Sequence, residues 1–206
     1  MAGRFLSFEG VDGSGKSTQA RLLAEALRTA GHQVTLTREP GGSAGAEEIR
    51  RLVLEGNPDR WSPATEILLF TAARRDHLEK TIRPALARGE VVITDRFADS
   101  TRMYQGISRG DLAATVDRLH DLMIGVEPDL TFLIDIDPAL GLSRAQSRAG
   151  SEMRFEDMGL DLQRRMRAGF LTLAAHTPRF AVINGDRDPT AIAADVLSRA
   201  TTHLAG

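Results

Sequence analysis

The chain has 206 residues, a net charge of −2 and no cysteine. This length suits one α/β domain with a substantial core, so we expect a single domain over residues 1–206. The near-neutral charge argues against a nucleic-acid-binding surface, the lack of cysteine excludes disulfides and thiol metal sites, and no apolar stretch has the length of a membrane span. The first strand begins too early to leave room for a signal peptide, so we expect a cytoplasmic enzyme.

The first predicted element is a short apolar strand that begins at Phe5 and leads into a glycine-rich turn and a helix. The turn and the helix start satisfy the phosphate-binding pattern G-x-x-x-x-G-K-[ST], the P-loop. Backbone N–H groups of the turn and of the helix N-terminus bind an anion, the lysine reaches the β- and γ-phosphates, and the next hydroxyl can ligate Mg²⁺. The candidate ATP-binding residues here are Gly10, Val11, Asp12, Gly13, Ser14, Gly15, Lys16, Ser17 and Thr18.

The rest of the chain alternates between strand-like and helix-like segments. Further strands are predicted at residues 33–37, 91–95, 130–135 and 180–183, and helices at 17–30, 44–55, 63–88, 111–124, from 138, at 160–175 and at 190–203. Pro84 should kink the long helix near its end. The alternation predicts an α/β fold, a P-loop three-layer sandwich in which helices flank a five-stranded parallel sheet.

Two aspartates end predicted buried strands, Asp95 and Asp135. Either one could associate with a metal ion beside the P-loop, and either could simply cap a strand. The pattern alone does not choose between them. Asp95 is the better candidate because Arg96 follows it, which pairs a carboxylate on the metal side with a cation on the phosphate side.

Five further segments resemble the thymidylate kinases in order and spacing. The quoted motifs are EGVDG at 9–13, TREPGG at 37–42, FTAAR at 70–74, DRF at 95–97 and STRMYQG at 100–106. The resemblance covers nearly the whole chain, including PDLT at 128–131. It implies an enzyme that uses Mg²⁺ and transfers the γ-phosphoryl of ATP to dTMP, giving dTDP and ADP in dTTP biosynthesis. It also implies a homodimer.

The resemblance further implies which residues bind dTMP. Asp12 is similar to the carboxylate that accepts a hydrogen bond from the sugar 3′-hydroxyl, Phe70 to the ring that stacks on thymine, and Arg74 to the guanidinium at the base edge. The full implied set is Asp12, Glu39, Pro40, Phe70, Arg74, Arg96, Ser100, Tyr104 and Gln105. Taken from periodicity alone, Phe70 would rather be a core residue, and the segment around Pro40 could be a plain turn.

Metal, catalytic and lid residues complete the implied site. The metal ligands would be Ser17, Asp95 and Glu39, and the catalytic residues Lys16, Asp95, Arg96, Arg148 and Arg154. The arginine-rich segment at about 144–156 resembles a lid of the bacterial type, in which Arg144 stacks on adenine and the P-loop position of Gly13 stays small. These arginines could instead form a solvated helix face. The loop at 184–187 is a weak candidate for adenine contact.

Three other readings remain open. The nearest is a P-loop kinase of another nucleoside or nucleotide. A nucleotide-dependent switch without a small acceptor is the second, and a nucleic-acid-binding role is the third. Two residues depart from the family pattern inside the quoted motifs. Phe97 stands where tyrosine is common, and Met103 stands where alanine is common; we expect Met103 to narrow the acceptor pocket or to shift its helix.

Overall fold

The computed structural model describes residues 3–57, 60–107, 111–146 and 159–205. Five strands form one sheet in which every paired strand is parallel. The strand order is β2-β3-β1-β4-β5, so the strand that leads into the P-loop is central. This confirms the predicted five-stranded parallel sheet. The strands are β1 (Arg4–Glu9), β2 (Val34–Arg38), β3 (Val91–Asp95), β4 (Leu130–Asp135) and β5 (Phe180–Asn184).

Most helices lie close to the predicted spans, but the predicted helix at 63–88 is divided and α5 was not predicted. They are α1 (Lys16–Thr29), α2 (Ala44–Leu54), α3 (Pro63–His77), α4 (Arg83–Ala87), α5 (Ala98–Thr101), α6 (Ala113–Met123), α7 (Pro138–Gln146), α8 (Leu160–His176) and α9 (Pro189–Ala205). Two π-helical segments, Leu78–Ile82 and Arg102–Ile107, continue α3 and α5. Within the described ranges, no helix is both long enough and apolar enough to cross a membrane.

The core has two faces because side chains alternate along each strand. Leu6 and Phe8 of β1 point toward α1 and α9, where they meet Leu23 and Val196. On the other face, Phe5 packs with residues of the helical stretch that begins at α3 and with Phe97. The C-terminal half of this second face is completed by α8. The sheet is therefore covered on both sides, as the hydrophobic strand patterns predict.

The predicted 63–88 helix is interrupted where Pro84 disturbs it. Pro84 has no N–H, and its ring crowds the carbonyl of Lys80 one turn earlier. The backbone widens into the π-helical segment Leu78–Ile82 directly before the short helix α4, in which Pro84 is the second residue. The proline thus changes the helix near its end, where the sequence predicts a kink.

Strand register brings the functional turns to one edge of the sheet. Phe8 of β1 lies opposite Asp95 of β3, and Arg38 of β2 lies opposite the same residue. The carboxyl ends of parallel strands meet at one edge, which is where open α/β sheets bind ligands. The P-loop, the turn after Arg38 and the turn after Asp95 consequently face one cleft.

The stacked ring pair Phe8–Phe132 links the two central strands of the sheet. The ring centroids are 5.0 Å apart, and both side chains are fully buried. Replacing Phe132 with alanine should lower the free energy of unfolding by about 3–5 kcal/mol, because the cavity cannot close fully. Urea unfolding followed by circular dichroism measures this change. Val182→Ala, at an exposed position on the adjacent strand, should change it by about 0.5 kcal/mol or less.

Candidate active site

The P-loop holds Lys16 folded back onto its own backbone. The ammonium Nζ donates to the carbonyl of Val11 at 2.8 Å and to the Ser14 hydroxyl at 3.3 Å. Burial and the nearby Arg96 charge lower the pKa of Lys16 to about 8. The residues around it, 10–15, form the turn, and α1 begins at Lys16, so the free N–H groups of the helix open onto the same place.

The Asp12 carboxylate forms hydrogen bonds with three other side chains of the site. It accepts hydrogen bonds from Arg96, from the Tyr104 hydroxyl at 2.7 Å and from the Gln163 amide at 2.9 Å. Burial acts to raise the pKa of Asp12, but the charges of Arg96 and Lys16 outweigh it, and the pKa is lowered. Asp12 is therefore ionised, and it joins the P-loop to β3 and to α8.

Arg96 has a left-handed backbone, with a φ of 71°, which is uncommon outside glycine. This conformation turns its guanidinium over the P-loop. Nη1 donates to the Ser100 hydroxyl at 2.9 Å, while Nη2 contacts Asp12 and the Tyr104 hydroxyl. Burial acts to lower the pKa of Arg96, but the nearby Tyr104 and Asp12 outweigh it and the pKa is raised, so the guanidinium stays charged. Such a fork suits a phosphate group.

The structure separates the two aspartates that the sequence left open. Asp95 lies beside Ser17 and accepts a hydrogen bond from its hydroxyl. Asp135 instead forms two hydrogen bonds with Arg167 of α8, at 2.6 and 2.8 Å. The second carboxylate oxygen of Asp95, Oδ1, is buried and has no hydrogen-bond partner in the described part of the chain. This pair of oxygen ligands fits a hard cation such as Mg²⁺.

A cavity of about 190 Å³ opens next to Arg96. All nine residues of the implied dTMP set line it, together with Arg50, Leu54, Phe97 and Thr101. The nine are Asp12, Glu39, Pro40, Phe70, Arg74, Arg96, Ser100, Tyr104 and Gln105. A second cavity of about 560 Å³, the P-loop-side cavity, is lined by Ser17 and Asp95 and shares Glu39, Arg50 and Arg96 with the first. The two cavities meet at these three residues.

Glu39 is the centre of a buried network at the cavity wall. Its carboxylate accepts hydrogen bonds from Arg74 Nε at 2.7 Å and pairs with His77 Nδ1 at 3.0 Å. Arg74 also donates to Thr101 at 3.0 Å. Burial acts to raise the pKa of Glu39, but Arg74 and His77 outweigh it and the pKa is lowered. Glu39 also lines the P-loop-side cavity with Ser17 and Asp95.

Sequence reasoning did not identify several residues of this site. Gln163 binds Asp12 through both its amide oxygen and its amide nitrogen, and it comes from α8, far along the chain. His77 forms a hydrogen bond with Glu39, and Ser100 donates a hydrogen bond to Glu9. Arg50 lines both cavities. Two features of the sequence could have pointed to Glu9 and Arg50. They are the glutamate at the end of the first strand and the spacing of Arg50 after the 37–42 motif.

The lid candidates are only partly within the described residues. Arg148 and Arg154 lie outside them. Arg144 is half exposed near the end of α7, and its guanidinium lies 4.0 Å from Asp186 in the loop after β5. The structure therefore brings Arg144 to the 184–187 loop, where adenine contact was expected. Arg187 of that loop binds Asp195 of α9.

Met103 does not line the acceptor cavity, so the expectation that it narrows this pocket is wrong. The side chain is buried and belongs to the cluster formed with Met166 and Phe170 of α8. A Cβ atom placed on Gly169 would lie 2.6 Å from the Met103 sulfur. The absence of a side chain at Gly169 thus makes room for the larger residue on the far side of Tyr104.

Comparisons with known proteins agree with these motifs. The family model for thymidylate kinase matches residues 8–196. A thymidylate kinase of Ruegeria pomeroyi is 73% identical over 98% of this chain and 96% of its own length, and one of Dinoroseobacter shibae is 66% identical over 97% of each. The crystal structure of an Ehrlichia chaffeensis thymidylate kinase superposes with a TM-score of 0.79, at 37% identity over 98% of this chain and 99% of that one. The chain therefore belongs to the thymidylate kinase family.

Proposed function

We propose that this protein transfers the γ-phosphoryl group of ATP to dTMP, giving dTDP and ADP for dTTP synthesis. The observation that carries the proposal is the pair of adjoining cavities. One is lined by Ser17, at the end of the P-loop motif, and by Asp95, the other by aromatic and polar side chains, and Arg96 is among the residues that line both. A donor and an acceptor bound in them would present their phosphates to the same arginine.

The chemistry asks little of the protein beyond positioning and charge. The oxygen of the dTMP phosphate attacks the γ-phosphorus directly and is already anionic, so no general base is needed. Two anions have to be held in line, and the charge that spreads over the transferring group has to be stabilised. Lys16 would bind the donor phosphates and Arg96 the acceptor phosphate. Arg148 and Arg154 are proposed to supply further positive charge from the lid.

The proposal includes Mg²⁺ as the cation that accompanies ATP. Among the described residues, no cluster of three or more His, Cys, Asp or Glu side chains is placed to hold a metal by itself. Mg²⁺ commonly uses one or two carboxylates plus substrate phosphates, which the Ser17–Asp95 pair would complement, with Glu39 nearby. When bound, the ion neutralises phosphate charge. Ser17 and Asp95 would hold it at the carboxyl end of β3.

The acceptor cavity offers a surface for each part of dTMP. Phe70 would stack on thymine, Arg74 would lie at the base edge, and Asp12 would accept from the 3′-hydroxyl. The Tyr104 ring, placed under the deoxyribose, would leave no room for a 2′-hydroxyl. Pro40, Ser100 and Gln105 complete the walls, and Arg144 is assigned to the adenine of ATP.

A homodimer in the cytoplasm completes the proposal. α3 packs against α6, and three large apolar side chains on these helices are exposed. They are Leu68, which is 59% exposed, Leu122, at 75%, and Met123, at 48%. Exposed large apolar side chains on two helices in contact would suit an interface between copies of the chain. The cytoplasm is where ATP, the proposed donor, is available.

The first test is a coupled assay of ADP release with ATP and Mg²⁺. dTMP, dUMP, UMP, dCMP and AMP are added one at a time. The proposal predicts turnover that depends on an added acceptor and strongly favours dTMP. A preference for AMP or dCMP would contradict the assignment of the base-binding residues. Equal hydrolysis with and without an acceptor would indicate a switch rather than a kinase.

The second test separates the donor side from the acceptor side. Arg96→Ala should raise the KM for dTMP roughly 10- to 100-fold, because charged hydrogen bonds to the phosphate are lost. Lys16→Ala should abolish transfer, because the donor phosphates lose their cation. Steady-state kinetics with each substrate varied in turn measures both effects. Equal small losses in the two variants would contradict this division of roles.

The lowered pKa of Lys16 gives a third prediction. Near pH 8.5, much of Lys16 in the free protein is deprotonated, because its pKa is about 8. The triphosphate favours the ammonium form, so binding of ATP should take up protons at this pH and not at pH 6.5. Titration calorimetry in buffers of different ionisation enthalpy measures proton uptake. Lys16→Arg, which stays charged, is the control and should show none from this position.

A further inference from the structure

Glu9 is a fully buried carboxylate for which the proposed mechanism has no use. It is the last residue of β1, and β1 pairs with β3 so that Phe8 lies opposite Asp95. The side chain therefore points at the turn that follows β3. The charge of a buried carboxylate has to be compensated by hydrogen bonds or by a cation.

Three donors from this turn meet the Glu9 carboxylate. Oε1 accepts from the backbone N–H of Phe97 at 2.8 Å and from that of Ser100 at 3.3 Å. Oε2 accepts from the Ser100 hydroxyl at 2.6 Å. Glu9 thus caps the start of α5 from a neighbouring strand. It fixes the backbone on the C-terminal side of Arg96, the residue with the left-handed conformation.

Ser100 connects Glu9 to Arg96. A serine hydroxyl has one hydrogen, and here it is donated to Glu9. Its oxygen consequently presents a lone pair to Arg96 Nη1, which donates to it at 2.9 Å. The hydrogen bonds run in one direction, from Arg96 to Ser100 to Glu9. Ser100 therefore lines the acceptor cavity as an acceptor of hydrogen bonds.

We propose that Glu9 is a positioning residue for phosphoryl transfer, acting through Ser100 to hold the Arg96 guanidinium toward the acceptor phosphate. The inference rests on the proposed role of Arg96. Glu9 itself does not line either cavity and touches no substrate in this arrangement.

The charge of Glu9 bears on this role. Burial, and then the neighbouring Asp99 of α5, raise the pKa of Glu9 to about 7, although Arg96 and the hydrogen bonds from Ser100 and Phe97 oppose this. Lys16 of the P-loop also interacts with Glu9. Protonation below pH 7 removes the charge that strengthens the three hydrogen bonds. The kcat/KM for dTMP should fall there.

Two single variants and their combination test the proposal. Glu9→Gln keeps the size of the side chain but turns one acceptor into a donor, and Ser100→Ala removes the connecting hydroxyl without leaving an unpaired cation. Each should raise the KM for dTMP roughly tenfold and leave the KM for ATP within about twofold. The double variant should raise the KM for dTMP by no more than roughly tenfold, because both substitutions interrupt the same series of hydrogen bonds.

The pH dependence of kcat/KM for dTMP distinguishes a positioning role of Glu9 from a role in stability alone, because a loss of stability would not change the shape of this profile. Wild-type kcat/KM for dTMP should decline below about pH 7, in addition to the decline near pH 6 from the phosphate of dTMP itself. Glu9→Gln should retain only the second decline. Glu127→Gln is the matched control, because Glu127 also accepts hydrogen bonds and lies outside both cavities. It should lower the melting temperature without changing the KM for dTMP.

Three outcomes would overturn the inference: an unchanged KM for dTMP in Ser100→Ala, multiplicative effects in the double variant, or equal rises in both KM values. If Glu9→Gln does not fold, Glu9→Asp takes its place, because Ser100 also lines the acceptor cavity and its loss could raise the KM for dTMP directly; an unchanged KM for dTMP in Glu9→Asp would then overturn the inference. Arg96→Ala tests the proposed role of Arg96 independently of the proposed role of Glu9. If it leaves the KM for dTMP unchanged, the proposed role of Arg96 fails. If it raises that KM while the Glu9 and Ser100 variants do not, only the present inference fails.

Discussion

The contact between Arg96 and Asp12 is the interaction on which the rest of the site depends. It ties the turn after β3 to the P-loop, two segments that parallel pairing brings to one edge of the sheet. Both groups are largely desolvated, so each stabilises the charge of the other, and the pKa values of Asp12 and Arg96 move apart. An acidic residue inside a phosphate-binding turn is tolerable because this arginine lies beside it.

The protein's own acceptors orient the cations of the site. Lys16 donates to Val11 and Ser14, and the Nη atoms of Arg96 donate to Ser100, Asp12 and Tyr104. Positive charge is thus oriented by fixed protein contacts, which is how preorganised sites limit reorganisation during reaction. Bound phosphates compete with neutral backbone and hydroxyl acceptors around Lys16, and with a carboxylate around Arg96.

Local features of the sequence predicted most of the fold, whereas the contacts that organise the site were not predictable from it. Strand and helix periodicity gave the parallel sheet, and the glycine pattern gave the P-loop. The stretch 98–107 was missed as a helix because α5 is a single turn and π-helical hydrogen bonding does not follow the 3.6-residue period. The Glu9–Ser100 and Asp12–Gln163 contacts span 91 and 151 residues, and no local pattern marks such partners. The sequence favoured Asp95 over Asp135 only through the neighbouring Arg96, whereas the hydrogen bonds of Asp95 with Ser17 and of Asp135 with Arg167 depend on the fold.

The close packing of α7 on the P-loop explains why position 13 has no side chain. A Cβ atom on Gly13 would lie 1.9 Å from the Gly141 carbonyl oxygen, and one on Gly141 would lie 2.5 Å from the Asp12 carbonyl oxygen. Neither contact can be relieved by rotating a side chain, since both involve backbone atoms, and the φ of 73° at Gly13 disfavours other residues as well. An arginine therefore cannot be supplied from the P-loop at this position. Arg144 follows Gly141 by about one helical turn, so the close contact that excludes an arginine at position 13 also holds the helix that carries Arg144 against the P-loop.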